Sequence, residues 1–215
     1  KDSMIINAII YFGVWMLALQ VWESFKNRGD LAAMLLGLRP RHLGWGALLI
    51  FTTLLSLGGM ATLVAASGAE WMTWSWLSAL LSKDGSMITA AAQTPSTVPK
   101  SVIYAFYALL ILALPMAALG EEKLFRRGAE KRSLAANAGI ALVFALAHMV
   151  VGFPVFAALA LFPLGMWLTH YYRISWRRSG GDSRVALLEA GRIHLANNMV
   201  ALGTWAILVN AVKSP

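Results

Sequence analysis

Residues 101–127 read SVIYAFYALLILALPMAALGEEKLFRR. A run of apolar and small residues free of charge, 101–120, is closed by a glutamate pair and then at once by Lys123, Arg126 and Arg127. The hydrocarbon core of a bilayer is about 30 Å thick and takes roughly 20 helical residues, so the run has the length of a membrane span. Runs of the same kind lie at about 4–22, 43–66, 134–152, 154–172 and 186–212. The expected fold is therefore all-α: a polytopic transmembrane helical bundle of about six spans, with a short interfacial helix.

Composition agrees with a lipid solvent. The 215 residues are 59% hydrophobic and 13% charged, whereas soluble domains average roughly 45–50% apolar and about 25% charged. The net charge of +8 is concentrated between apolar runs and interleaved with Trp and Tyr, the pattern of cytoplasmic loops rather than of a nucleic-acid surface. No nucleic-acid partner is expected. Cysteine is absent, which excludes disulfides, thiolate metal sites and a cysteine nucleophile. Residues 1–22 are apolar for too long, and lack the small-residue cleavage site, to be a cleavable signal peptide; they are read as the first span.

Orientation follows from Lys and Arg. The 23–42, 121–133 and 173–185 loops are the basic ones, so they are assigned to the cytoplasm, with the N-terminus and the 67–100 segment outside. Within 67–100, Trp71, Trp74 and Trp76 suit an interfacial helix, and the stretch MITAAAQTPSTVP at 87–99 suits an irregular loop. The chain divides into residues 1–100, two N-terminal spans with the interfacial segment, and residues 101–215, where the ionisable residues gather in one integral membrane domain.

Ionisable side chains within spans cost about 2.5–3.5 kcal/mol each on insertion scales and mark function by default. Glu121 and Glu122 close the third run, with Arg126 one turn beyond Glu122. The plain reading of this trio is a solvated helix end, yet two carboxylates at a helix C-terminus oppose the macrodipole. Phe144 and His148 are four apart in LVFALAHMVVG, and His194 and Asn198 four apart in RIHLANNMVALG; each His also has a plain reading, as a satisfied core residue or a helix-packing hydrogen bond. Two acids and two histidines suit activation of water, and His194 with Asn198 suit donation to a developing oxyanion.

The motifs E-E-x-x-x-R, F-x-x-x-H and H-x-x-x-N, in this order on successive apolar runs, resemble those of the CPBP intramembrane proteases, the family of the CAAX prenyl endopeptidases and of bacteriocin-processing proteins. The resemblance covers about residues 101–212. It implies an endopeptidase cutting near the membrane interface, with Glu121 and His148 activating water and His194 and Asn198 stabilising the oxyanion. Glu122 and Arg126 would orient the site and Phe144 would pack beside it. It implies as substrate a membrane-associated or membrane-anchored protein: a C-terminal sorting tail, a leader peptide or a CAAX-like chain. The expected location is the bacterial inner (plasma) membrane, multi-pass. No cofactor is expected. The alternative is zinc on His148, His194 and Glu121, but that choice leaves only Asn198 as a side-chain oxyanion donor. Two further classes compete: a non-enzymatic immunity or scaffold protein on the same fold, and a small transporter or proton relay, which would need polar residues strung along further spans.

Three further expectations can be checked against geometry. His148 lies about 14 residues, or roughly 21 Å, beyond the start of its run, so Glu121 can meet it only if the third helix continues past Glu122 and the fourth starts late, with Arg126 and Arg127 snorkelling. The basic stretch 171–184 reads as a loop, either a cytoplasmic lid or a solvated segment with a lipid-facing Trp176. His42 and His170 read as interfacial residues without a role.

Overall fold

The computed structural model describes residues 22, 26–75 and 100–212. The expected first span and the 87–99 loop lie outside them. The described residues are helical throughout their regular structure and contain no strand. In chain order the helices are α1 (Arg28–Leu36), α2 (Pro40–Ser67), α3 (Lys100–Phe125), α4 (Leu134–Ala147), α5 (Val155–Ala160), α6 (Phe162–Arg178) and α7 (Ser183–Val212), with single 3-10 turns at Glu70–Thr73, Ala129–Lys131 and His148–Val151. Two stretches, Pro40–Ser67 and Val155–Arg178, are long and apolar enough to cross a membrane.

Local sequence sets the helix ends. Pro40 sits in the first turn of α2, where its missing N–H has no intrahelical partner to lose. His42 Nδ1 accepts from the Arg39 N–H at 2.9 Å, capping the same end. Ser133 caps α4 by accepting from the Ala136 N–H at 3.2 Å. α2 ends at Gly68 in the left-handed region, φ 67°. The stretch 67–100, expected to open with an interfacial helix, begins with the single turn Glu70–Thr73, where Trp71 and Trp74 are exposed.

α7 is the axis of the bundle and packs against α2, α3 and α6, while α4 packs on α6. Two glycines permit the closest crossings. A Cβ at Gly46 would stand 2.7 Å from the Ala196 carbonyl carbon and the Asn197 nitrogen of α7. One at Gly165 would stand 2.9 Å from Cδ1 of Phe144. Small residues at such crossings let the two backbones approach closely. Gly46→Ala is expected to destabilise the bundle by about 1–3 kcal/mol, the range of overpacking. Gly44→Ala, with open space around its Cβ, is expected to be neutral or to gain about 0.5–1 kcal/mol from helix propensity. Unfolding midpoints of the two variants in one detergent check the contrast.

α1 is tied to the bundle by charge. Asp30 accepts from Lys123 Nζ at 2.7 Å and from Arg184 Nε at 2.8 Å, linking α1 to α3 and α7. Burial raises the Asp30 pKa, but the hydrogen bonds from Lys123 and Arg184 prevail and hold it below the ordinary 3.8. The stability this carboxylate contributes is therefore fully present above pH about 4 and is lost as pH falls through the lower folded value. Asp30→Asn is expected to lower the melting midpoint at neutral pH, with the gap from the parent closing as pH falls below the ordinary 3.8 and through the lower folded value. A gap that persists at acid pH would show that Asp30 acts by packing alone.

Two sequence expectations are corrected here. Residues 173–178 belong to α6, and the connection to α7 is only the turn 179–182, with Gly180 and Gly181 at φ 69° and 93°. Trp176, partly buried, packs from this helix against the cluster of Tyr172, Ala186, Leu187 and Ala190, so it rides on neither a loop nor a lid. The basic residues mark where the helix leaves apolar surroundings, not where it stops. His42 is fully buried and bonds Glu189 at 3.2 Å, so it is not an interfacial side chain; His170 is exposed.

Candidate active site

The third helix does run past the glutamate pair. α3 ends at Phe125, and the Arg126 N–H still donates to the Glu122 carbonyl at 2.9 Å. α4, however, starts at Leu134 where its apolar run starts, not later. The depth mismatch is resolved elsewhere. The Phe125 ring meets Phe144 edge-on at 5.4 Å, which sets the tip of α3 against the third turn of α4, and residues 126–133 make up the difference outside the helices. α4 then stops at Ala147, and His148 opens a 3-10 turn that ends at Gly152.

Around that junction the motif residues converge from three helices. His194 on α7 faces both glutamates of α3: its Nδ1 lies 2.9 Å from Glu122 Oε1 and its Nε2 lies 3.7 Å from Glu121 Oε2. Glu122 also faces Arg126 Nε at 3.7 Å, and both side chains of that pair are fully buried. The Arg126 guanidinium lies 4.4 Å from the centre of the Phe144 ring, a cation–π contact that is stronger for being out of water. The expected snorkelling of Arg126 is therefore wrong: a carboxylate and an aromatic face partner it inside the bundle, and only Arg127 reaches the exterior. Phe144 is the hub, edge-on to His148 at 4.9 Å and to His194 at 5.9 Å.

Hydrogen bonding separates the two acids and fixes the two imidazoles. Glu122, with no exposed surface, holds His194 Nδ1 and thereby sets which ring nitrogen is directed at Glu121. Glu121 keeps 22% of its side chain accessible and is the more open of the two carboxylates, although its Oε2, which faces His194, is buried. His148 Nδ1 lies 2.9 Å from the Phe144 carbonyl; since that oxygen only accepts, Nδ1 donates, and Nε2 of the neutral ring is left to accept. The same argument applies to His194 when Glu122 is ionised. Donation to an oxyanion from His194 Nε2 then needs the doubly protonated ring, with the two glutamates as countercharge.

Asn198 lies one turn beyond His194 on α7. Its Oδ1 accepts from Asn197 Nδ2 at 3.3 Å, which leaves its own amide hydrogens to donate. Asn197 is buried and was not legible as a site residue, being one of two adjacent asparagines with nothing to separate their roles. Among the described residues no hydrogen bond joins His148 to Glu121, although the two are within electrostatic reach.

Among the described residues no three His, Asp or Glu side chains converge closely enough to hold a metal ion. The zinc set His148, His194 and Glu121 does not fit one as arranged.

A second, partly buried polar cluster was not legible in the sequence. Glu189 on α7 faces His42 at 3.2 Å, Arg41 at 3.3 Å and Arg192. Arg192 also donates to the carbonyls of Ala33 at 2.7 Å and Met34 at 3.2 Å, satisfying the C-terminal end of α1. The spacing of Glu189 and Arg192, three apart in the last apolar run, was the available signal. This cluster clamps α1 and α2 onto α7. No family model matches the chain, and neither the curated proteins nor the solved structures contain a match.

Proposed function

We propose that the chain is an intramembrane endopeptidase of the CPBP type, a six-span protein of the bacterial inner membrane with its basic segments in the cytoplasm. The observation that carries the reading is His194, held at Nδ1 by Glu122 and facing Glu121 at Nε2. The contact joins residues 72 apart in the chain and sets the imidazole assigned to the oxyanion beside the carboxylate assigned to the base, which supports the reading. The membrane setting is supported by the outer face of α2, where Leu48, Phe51, Leu54, Leu55 and Leu63 are exposed; an apolar face of that length suits lipid.

In this reading the Glu121 carboxylate takes a proton from a water molecule whose oxygen attacks the scissile carbonyl carbon. His148 Nε2 orients the water by accepting its other proton in a hydrogen bond. The carbonyl oxygen, now an oxyanion, accepts from His194 Nε2–H and Asn198 Nδ2–H. As the intermediate collapses, the C–N bond breaks and the departing amine takes the proton back from Glu121. Glu122 and Arg126 touch no reacting atom; they position His194 and Phe144. The substrate is a membrane-anchored chain: a sorting tail, a leader peptide or a CAAX-like terminus.

The test is cleavage of such substrates by the purified full chain, with products identified by mass, for the parent and for His148→Ala, each with and without a strong chelator. Loss of activity in the variant with no effect of chelator is the expected result. Loss on chelation restored by zinc would make the two histidines ligands. Equal turnover by parent and variant would sink the catalytic reading and leave a scaffold on the same fold.

A further inference from the structure

Away from the glutamate–histidine cluster, a cavity of about 290 Å³ opens between α3 and the start of α7, with Asp30 of α1 at its edge. Lys123, Arg127 and Arg184 line it together with Leu119 and Leu188. We propose that this cavity binds a phosphate-bearing anion, by its setting the headgroup of an anionic phospholipid.

The side chains already demonstrate how it would be held. Lys123 and Arg184 converge on opposite oxygens of one oxyanion, the Asp30 carboxylate, at 2.7 and 2.8 Å. That carboxylate fixes both cations in place yet consumes one donor of each. Lys123 keeps two N–H groups and Arg184 keeps both terminal NH₂ groups. Arg127 is exposed, and among the described residues its guanidinium has no hydrogen-bond or ion-pair partner. Three cations against one carboxylate leave a surplus of positive charge that matches a phosphate, and arginine is the side chain best shaped for its oxygens.

Leu119 and Leu188 give the cavity an apolar wall, which suits the glycerol and upper acyl region of a lipid. Lys123 and Arg127 lie just beyond the apolar run 101–120, the level at which headgroups meet a span. The inference uses the membrane setting but not the hydrolytic reading, and it stands if the chain cleaves nothing.

Binding to the full chain in neutral detergent would be measured by native mass spectrometry, titrating phosphatidylglycerol and phosphatidylcholine. Lys123→Gln is avoided, because it also cuts the tie to Asp30. The variants are Arg127→Gln, which removes an exposed and unpaired cation, and Arg178→Gln, an exposed arginine at the end of α6 that does not line the cavity. The expected result is preference for phosphatidylglycerol in the parent, about fivefold weaker binding in Arg127→Gln, and parent-like binding in Arg178→Gln. Inorganic phosphate is then added as competitor: displacement would make a soluble phosphate the ligand source, and failure to displace would make it the lipid headgroup. Equal binding of the two lipids, or equal losses in the two variants, would overturn the proposal.

Discussion

Glu121→Gln is expected to slow peptide hydrolysis by about 10²–10⁴-fold, the contribution of a positioned general base, while leaving the unfolding midpoint near that of the parent. The substitution keeps the shape of the side chain and removes only its capacity to take a proton from water. Glu121 is suited to such a clean loss. It is partly accessible, and its contact with His194 Nε2 is a 3.7 Å approach rather than a short hydrogen bond. His194 keeps its orientation through Glu122. Rates on a membrane-anchored substrate and thermal midpoints, measured on the same preparation, separate catalysis from folding. A rate within tenfold of the parent would remove Glu121 from the role of base.

The adjacent glutamates show what sequence could and could not reveal. Spacing alone set Glu122 with Arg126, Phe144 with His148, and His194 with Asn198 as pairs one helical turn apart, because such spacing is local geometry. It left the two acids indistinguishable. Their separation into a more open carboxylate and a sealed one depends on α7, which approaches α3 only in the folded bundle. The same limit hid the Glu189 cluster, since a single acid near the start of an apolar run looks like a headgroup-level charge until His42 and Arg41 are brought to it from α2. Helix ends are hidden from the sequence for a different reason. Charge and hydropathy report the surroundings of a residue, whereas helix termini are set by caps and glycines; hence α6 runs on through Arg177 and Arg178 to the turn at Gly180 and Gly181.

Arg126 was expected at the headgroups and instead lies fully buried, which leads to the largest expected change in stability. Breaking a buried ion pair by removing one partner costs about 3–5 kcal/mol, because a charge is left without compensation. Glu122→Gln does this to Arg126, which then keeps only the weaker charge interaction with Glu121, the Phe144 face at 4.4 Å and the more distant Phe125 at 5.8 Å. Arg126→Met is expected to cost less, since Glu122 keeps its 2.9 Å contact with His194 and methionine fills much of the space beneath Phe144. The double variant has neither charge, so it is expected to be more stable than Glu122→Gln alone, by about 1–3 kcal/mol. Denaturant midpoints of the four proteins in one detergent give the coupling directly. Additive losses would mean that Arg126 is stabilised by its packing and not by the glutamate. Recovery in the double variant without recovery of hydrolysis would separate the two roles of the pair: the charges would be needed to hold His194 toward Glu121, and the volume to hold the bundle together.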